Sequence, residues 1–352
     1  MNSTTIWILI AFAAYMGMML LIGASYMKTG KSTEDYFLGG RKLGGWVVAL
    51  SAQASDMSGW LLMGLPGSVY ALGTGQMWIA VGLFLGTVAN WLIISGRLRR
   101  YTIVANNSLT LPAYFENRFH DKKRILLGIS SVVIVIFFLV YTASAFASGG
   151  KLFSTVFGCS YHVSLTIGAV IILAYTFMGG FMAVCTTDFV QGMLMLVALV
   201  TVPVVAFALM GGNVGAALEQ TGVTAANFLN VMKNGENNFS AVEIISQLAW
   251  GLGYCGMPHI LVRFMAVKNQ KELNKSKGIA IVWVAISLAF AVVIGVLGRA
   301  YLYPTILGAD GGSTEIVFIE MIKQVFTVDI RLPIVAGLFL CGILAAIMST
   351  AD

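Results

Sequence analysis

Stretches of about 20 mostly apolar residues, the length a helix needs to cross a bilayer, recur nine times in this chain. They begin near Ile6, Gly45, Met77, Leu126, Val163, Val190, Ile244, Ile279 and Pro333. No other feature restricts the fold as strongly. A water-facing surface calls for roughly a quarter of all residues to be charged, whereas only 10% of these 352 are. Inside lipid every backbone N–H and C=O must be satisfied within the protein, so the spans must be helices. The class is an all-α polytopic membrane protein seated in a lipid bilayer. No basic segment precedes the first span, Ile6 to about Ser25, which therefore reads as a retained span rather than a cleavable signal.

The basic residues orient these spans. With the N-terminus outside, the inner loops hold Lys28, Lys31, Arg41, Lys42, Arg97, Arg99, Arg100, Arg118, Lys122, Lys123, Arg124, Arg263, Lys268, Lys271, Lys275 and Lys277. The outer side holds Lys151, Lys233, Arg299, Lys323 and Arg331. Sixteen against five, out of 21, is a strong positive-inside bias. It predicts a multi-pass protein of the inner (cytoplasmic) membrane with its N-terminus outside. The net charge of +6 is thereby explained without a nucleic-acid partner, because the basic residues sit in short loops and form no soluble basic face. The segment "NSLTLPAYFENRF", Asn107–Phe119, reads as a short interfacial helix on the inner face, with Pro112 near its start. Cys159, Cys185, Cys255 and Cys341 lack metal-site spacing and read as small core residues.

Two spans are irregular. The second contains "DMSGW" and then "LMGLPG"; the seventh contains "WGLGYCGMPH". Glycine and proline at mid-membrane depth break a helix, and broken backbone is tolerated there only when it is buried in protein or lines a cavity. A pair of interrupted spans at matching positions of two halves points to an inverted-repeat transporter site. Spans two and seven are five apart, which fits two five-span repeats behind one extra helix.

Asp56 lies inside the first break and reads as the one carboxylate buried well within a span; Glu243 lies at the edge of the seventh. An acid at that depth is costly, by roughly 2.5–3.5 kcal/mol on insertion scales. Cation binding or proton relay would explain it, and so would capping of the half-helix that restarts after the break. Ser349 and Thr350 end span nine and offer hydroxyl oxygens of the kind hard cations take, or merely bond back to the preceding turn. Tyr141, Trp250, Tyr254 and Pro258 are candidate walls of a small-solute pocket, with ordinary packing as the alternative. His259 reads as a satisfied structural histidine, and Asp188 as the N-cap of span six.

The segments "SAQASDMSGWLLMGLPG", "WGLGYCGMPHILVRFMA" and "LAAIMST", with "DYFLGGRKLGG", "LTLPAYFENRF" and "YTFMGGFMAV", closely resemble the sodium/solute symporter family over essentially the whole chain. The resemblance implies the five-plus-five inverted-repeat fold of sodium-coupled amino-acid transporters. Residues 1–44 would be the extra N-terminal helix and inner loop, 45–211 the first repeat and 212–352 the second. Family chains continue for several more spans, so a chain ending at Asp352 is expected to hold a truncated second repeat and to transport poorly alone.

Carried over by position, the resemblance implies a sodium site made of the backbone oxygens of Ala54, Met57 and Ala346 with the hydroxyls of Ser349 and Thr350. It also implies a role for Asp56 in sodium coupling and places Ser58, Gly59 and Trp60 beside the substrate. Tyr141, Trp250, Tyr254 and Pro258 would contact L-proline, and Arg41 would influence coupling. The function implied is sodium-coupled uptake of L-proline by alternating access, with Na+ as the coupling ion. Pantothenate or another amino acid is the alternative substrate, and a non-transporting membrane sensor the alternative class. Enzymatic activity is not expected: no H-E-x-x-H zinc motif occurs, His120, His162 and His259 are far apart, and no second mid-span aspartate accompanies Asp56.

Overall fold

The computed structural model describes residues 3–26, 32–309 and 313–351. Lys28, Lys31 and Asp352, named above, lie outside the described residues. The architecture is helical, with a single two-stranded hairpin among the described residues (β1, Lys233–Asn234; β2, Asn237–Asn238). Among the described residues, six helical stretches are long and apolar enough to cross a membrane. Spans two and seven are built from shorter pieces, because each is broken.

The first span is α1, Ser3–Tyr26. A short α2, Thr33–Leu38, is N-capped by Ser32, whose hydroxyl accepts from the Asp35 amide. The second span is α3, Gly45–Gly59, followed by a π-turn, Trp60–Gly64, and α4, Leu65–Leu72. Pro66 stands at the start of α4. A proline ring clashes with the carbonyl four residues back, and widening the preceding turn to π geometry relieves that clash. Span three comprises α5, Met77–Ala89, and α6, Ser95–Val104. The expected short helix is α7, Leu111–Phe119, with Thr110 as N-cap and Pro112 in its first turn. Span four is α8, Ile125–Phe157.

Spans five and six form one bent element, α9, Tyr161–Leu209, turned at Gly180 (φ 59°, ψ −172°), a conformation open to glycine. The outer segment that follows carries α10, Val214–Gln220, α11, Ala225–Phe228, and the hairpin. Span seven is α12, Ala241–Ala249, a 3₁₀ stretch, Trp250–Gly256, and α13, Pro258–Ala266. Span eight is α14, Gln270–Tyr301; α15, Val317–Lys323, precedes span nine, α16, Pro333–Ala351.

Three sequence expectations are corrected here. Span six begins at Gly180, ten residues before Val190, so Asp188 is no N-cap. It lies inside the helix and is fully buried. Thr186 and Thr187 do not stop the helix, since their hydroxyls bond to the carbonyls of Met182 and Ala183 within it. Arg263, counted above with the inner loops, is also buried, in α13. The cysteines divide: Cys185 and Cys341 are core residues, whereas Cys159 is exposed.

The core gathers around α16, which is buried along most of its length and packs against α1, α3, α8 and α9. Small residues allow this: a Cβ on Gly342 would lie 3.2 Å from the Ala198 Cβ. The α3 helix is itself buried between α9, α14 and α16. The break that ends α3 is therefore held within protein, as irregular backbone at this depth requires, whereas the 3₁₀ stretch of span seven is buried at Gly251 and Tyr254 and exposed at Leu252.

Candidate functional site

The second span breaks at Ser58, not at Gly59. Ser58 has φ 52° and ψ −176°, a region that costs a non-glycine residue of order 1–3 kcal/mol and tends to mark functional sites. In an unbroken helix the carbonyls of Ala54, Ser55 and Asp56 would accept from the amides of Ser58, Gly59 and Trp60. Three side chains from elsewhere reach these carbonyls. Ser349 donates to the Ala54 carbonyl at 2.9 Å and Thr350 to that of Ser55 at 3.3 Å. The Tyr141 hydroxyl donates to the Asp56 carbonyl at 3.2 Å. Both α16 hydroxyls also reach the Ala346 carbonyl, at 3.4 and 2.9 Å. The Met57 carbonyl accepts from the Trp60 amide.

The residues expected around a sodium ion thus come from helices 295 positions apart and meet at one level. The oxygens of Ala54, Ala346, Ser349 and Thr350 form one connected group, with the Ser55 carbonyl added to it. The Met57 oxygen bonds within its own helix rather than to this group, though a carbonyl with one partner keeps a second lone pair.

The Asp56 side chain is 1% exposed; neither oxygen has a hydrogen-bond partner at normal bonding distance, and the Tyr254 hydroxyl stands beside it. His259 stands 3.8 Å away and is itself unsatisfied at both ring nitrogens. This corrects the reading of His259 as a satisfied structural group. A buried carboxylate without a hydrogen bond at normal distance is unstable in an apolar medium unless a cation or a proton completes it.

The break in span seven has its own support. Glycines at 82, 86 and 251 let α5 and the 3₁₀ stretch meet backbone to backbone, where a Cβ on Gly251 would overlap the Gly82 carbonyl. Asn90 donates to the freed Tyr254 carbonyl at 2.8 Å. Trp250 is thereby set beside Trp60, with ring centroids 5.3 Å apart. A cavity of about 250 Å³ opens between the two breaks. It is lined by Asp56, Met57, Ser58, Trp60, Tyr141, Trp250 and Tyr254, all named from the sequence, and by Leu83, Ser144, Gly253 and Met257, which were not.

Two residues expected at the substrate lie elsewhere. Gly59 faces α8 and α16, where a Cβ would meet Ser148 and Ile347 at 3.1–3.4 Å. Pro258 lines a second cavity of about 710 Å³, on the side of α2 and α7. As the first residue of α13, Pro258 contributes by starting the half-helix.

Between these elements is a buried ionic group that sequence reasoning missed. Arg263 of α13 donates from Nη2 to Asp188 Oδ2 of α9 and from Nε to Ser51 Oγ of α3, each at 2.7 Å. Ser51 in turn donates to Asp188 at 2.6 Å. Asp188 is therefore a second carboxylate buried within a span, and its charge is matched by a fixed guanidinium. Its sequence signal was weak, since an acid between two apolar runs reads more simply as a boundary.

Arg41 ties the inner ends together. It donates to the carbonyls of Met265 and Ser108 at 2.7 and 3.0 Å and to Asn107 Oδ1 at 3.2 Å, with Glu34 3.6 Å away. Burial draws its pKa down from the usual arginine value, and the Glu34 carboxylate opposes that shift. Arg99 similarly holds the carbonyls of Val267 and Lys268. No group of three or more metal-ligating His, Cys, Asp or Glu side chains occurs among the described residues.

Residues 36–352 match the sodium:solute symporter family. The sodium/proline symporter of Escherichia coli (strain K12) is 46% identical over 344 residues, covering 97% of this chain and 66% of its own length. That of Staphylococcus aureus is 44% identical over 341 residues, covering 97% and 64%. The chain thus spans slightly less than two thirds of the length of these curated relatives. A Na+-coupled sialic acid symporter, solved in a substrate-bound outward-open state, matches 98% of this chain with a TM-score of 0.80 at 21% identity. The chain covers 71% of that structure, and the two share a fold.

Proposed function

Because the chain belongs to the sodium:solute symporter family, we propose that it carries the ion- and substrate-binding core of a sodium-coupled importer of L-proline. It is a multi-pass cell-membrane protein, and the reading places it in the cytoplasmic membrane with its N-terminus outside. In this reading residues 45–211 form the first repeat and 212–352 the spans of the second, behind the extra helix of residues 1–44. Sodium, as co-substrate, is held by the oxygens of Ala54, Ala346, Ser349 and Thr350, with the Met57 carbonyl and the Asp56 carboxylate completing the surroundings. Ser58, Trp60, Tyr141, Trp250 and Tyr254 face proline. Its carboxylate meets the amides freed at the break, and its ring lies against Trp250 and Tyr254.

The observation that carries this is the Asp56 carboxylate, buried beside a broken helix with no hydrogen bond at normal distance and next in sequence to the two carbonyls that the α16 hydroxyls reach. A monovalent cation there would satisfy what the protein leaves unsatisfied. Energetically, one charge moving through 100 mV supplies about 2.3 kcal/mol, and a tenfold sodium gradient about 1.4 kcal/mol. Together they support roughly 500-fold accumulation at one-to-one coupling.

Uptake of labelled proline into proteoliposomes by a form extended to the full length of the curated relatives, with and without an inward sodium gradient, tests the reading. Sodium-dependent accumulation is expected. Trp250→Ala should raise the proline concentration for half-maximal uptake by roughly three- to tenfold, from the 0.5–1.5 kcal/mol an aromatic contact adds beyond area, and should change the sodium requirement less. Uptake indifferent to sodium would remove the proposal, and an unchanged proline curve in the Trp250 variant would move the pocket elsewhere.

Orientation is testable separately. A cysteine placed at Lys122 should resist a membrane-impermeant thiol reagent in intact cells and react after permeabilisation. Strong labelling of intact cells would invert the topology drawn from the basic residues.

A further inference from the structure

The two cavities divide along one level of the molecule. On α3 the boundary falls between Ser55, which lines the larger cavity, and Asp56, which lines the smaller. On α8 the two linings alternate: Phe138 and Thr142 face the larger cavity, Tyr141 and Ser144 the smaller. At the second break the boundary falls between Met257 and Pro258. Two elements therefore change sides between consecutive residues, and α8 runs along the partition with side chains on both sides of it.

Three rings fill that level. His259 lies parallel to Tyr141, centroids 5.8 Å apart at 20°, and edge-on to Phe138 at 5.4 Å; Phe138 meets Tyr141 at 5.8 Å. Tyr141 is anchored by its hydroxyl to the Asp56 carbonyl, at the break itself. Phe138 has no polar atom, and His259 makes no hydrogen bond through either ring nitrogen, its Nε2 standing 3.8 Å from the Asp56 carboxylate. Phe138 is held by ring contacts, worth about 0.5–1.5 kcal/mol each, and His259 by ring contacts and by its approach to Asp56. Rings held this way can separate at low cost when α8 and α13 shift relative to each other.

We infer that Phe138 and His259, closing against Tyr141, form the septum that separates the substrate cavity from the path leading out past α2 and α7. Phe138 then determines whether the substrate cavity is sealed from that side, a role distinct from contacting the solute. The inference rests on the smaller cavity being the substrate side, but its test needs neither sodium nor proline.

The probe is a single cysteine at Ser144, which lines the smaller cavity, in a chain whose four native cysteines are replaced. A charged, membrane-impermeant methanethiosulfonate is applied to vesicles sealed with the α7 side outward. The parent is expected to react slowly from this side. Phe138→Ala, and independently His259→Ala, should raise the rate at least tenfold. Phe138→Trp, which keeps the ring, should leave it slow. Reaction from the opposite face should change less than twofold in every variant, which separates a local opening from general loosening. If Phe138→Ala does not accumulate, His259→Ala and Phe138→Val carry the same expectation. Rates from the α7 side within twofold of the parent in the alanine variants would overturn the septum. Failure of proline uptake with accelerated labelling would leave it standing and remove the substrate reading instead.

Discussion

Replacing Ser349 and Thr350 together by alanine is expected to raise the sodium concentration for half-maximal proline uptake at least tenfold, a loss of about 1.4 kcal/mol. The two hydroxyls are the only α16 side-chain oxygens that reach the break in α3, through the carbonyls of Ala54 and Ser55. Without them the remaining carbonyls cannot close an oxygen shell around a cation, and a partly dehydrated ion loses more than it would in water. Proline affinity should fall only at limiting sodium, because the coupling between two ligands is reciprocal. If the hydroxyls only tie α16 to α3, the variant loses hydrogen bonds to buried carbonyls worth about 1–3 kcal/mol. It would then accumulate less or melt lower with an unmoved sodium curve. Uptake against sodium concentration, normalised to protein amount, separates the two.

The second large effect belongs to Arg263. Substituting Met at Arg263 alone would leave Asp188, which is fully buried, without its counter-charge. Breaking a buried pair from one side costs about 3–5 kcal/mol, whereas replacing both partners by apolar residues of similar volume is often neutral or stabilising. In detergent the single variant should melt roughly 5 °C or more below the parent, on the scaling of about 2–4 °C per kcal/mol for chains of 150–250 residues. Adding Asp188→Leu should restore most of that loss even if transport stays impaired. A double variant no more stable than the single would show that the pair is not the source of the instability. Arg263→Lys should fall between, because an ammonium cannot reproduce the fork that reaches Asp188, Ser51 and the His259 carbonyl together.

Much of the candidate site was legible in the sequence. The two breaks announce themselves in "DMSGW" and "WGLGYCGMPH", because an apolar run seldom holds glycine together with a carboxylate or a proline unless its helix is interrupted there. Their five-span separation and the hydroxyls ending span nine pointed to one place. Local chemistry did less well on exact positions. The left-handed residue is Ser58, although Gly59 is the residue that adopts such a conformation most readily. Pro258 reads as a pocket wall by type, yet its place at the head of α13 turns it toward the other cavity.

What the sequence by itself determined is what depends on composition and local pattern. The lipid environment, the helical class, the spans, the broken pair and the residues with unusual chemistry at those breaks all follow from hydropathy and from the need to satisfy every backbone group in lipid. Tertiary structure alone decided the partners. Asp188 and Arg263 are 75 positions apart, and each is unremarked as the edge of a span. The Phe138–His259–Tyr141 cluster joins two helices more than 100 positions apart, and Phe138 carries no signal in an apolar run. Ser349 reaches the Ala54 carbonyl across 295 positions. A chain's periodicity records which face of a helix is apolar, but which two faces meet is set by packing many helices at once. Pairings between distant buried groups therefore become visible only once that packing exists.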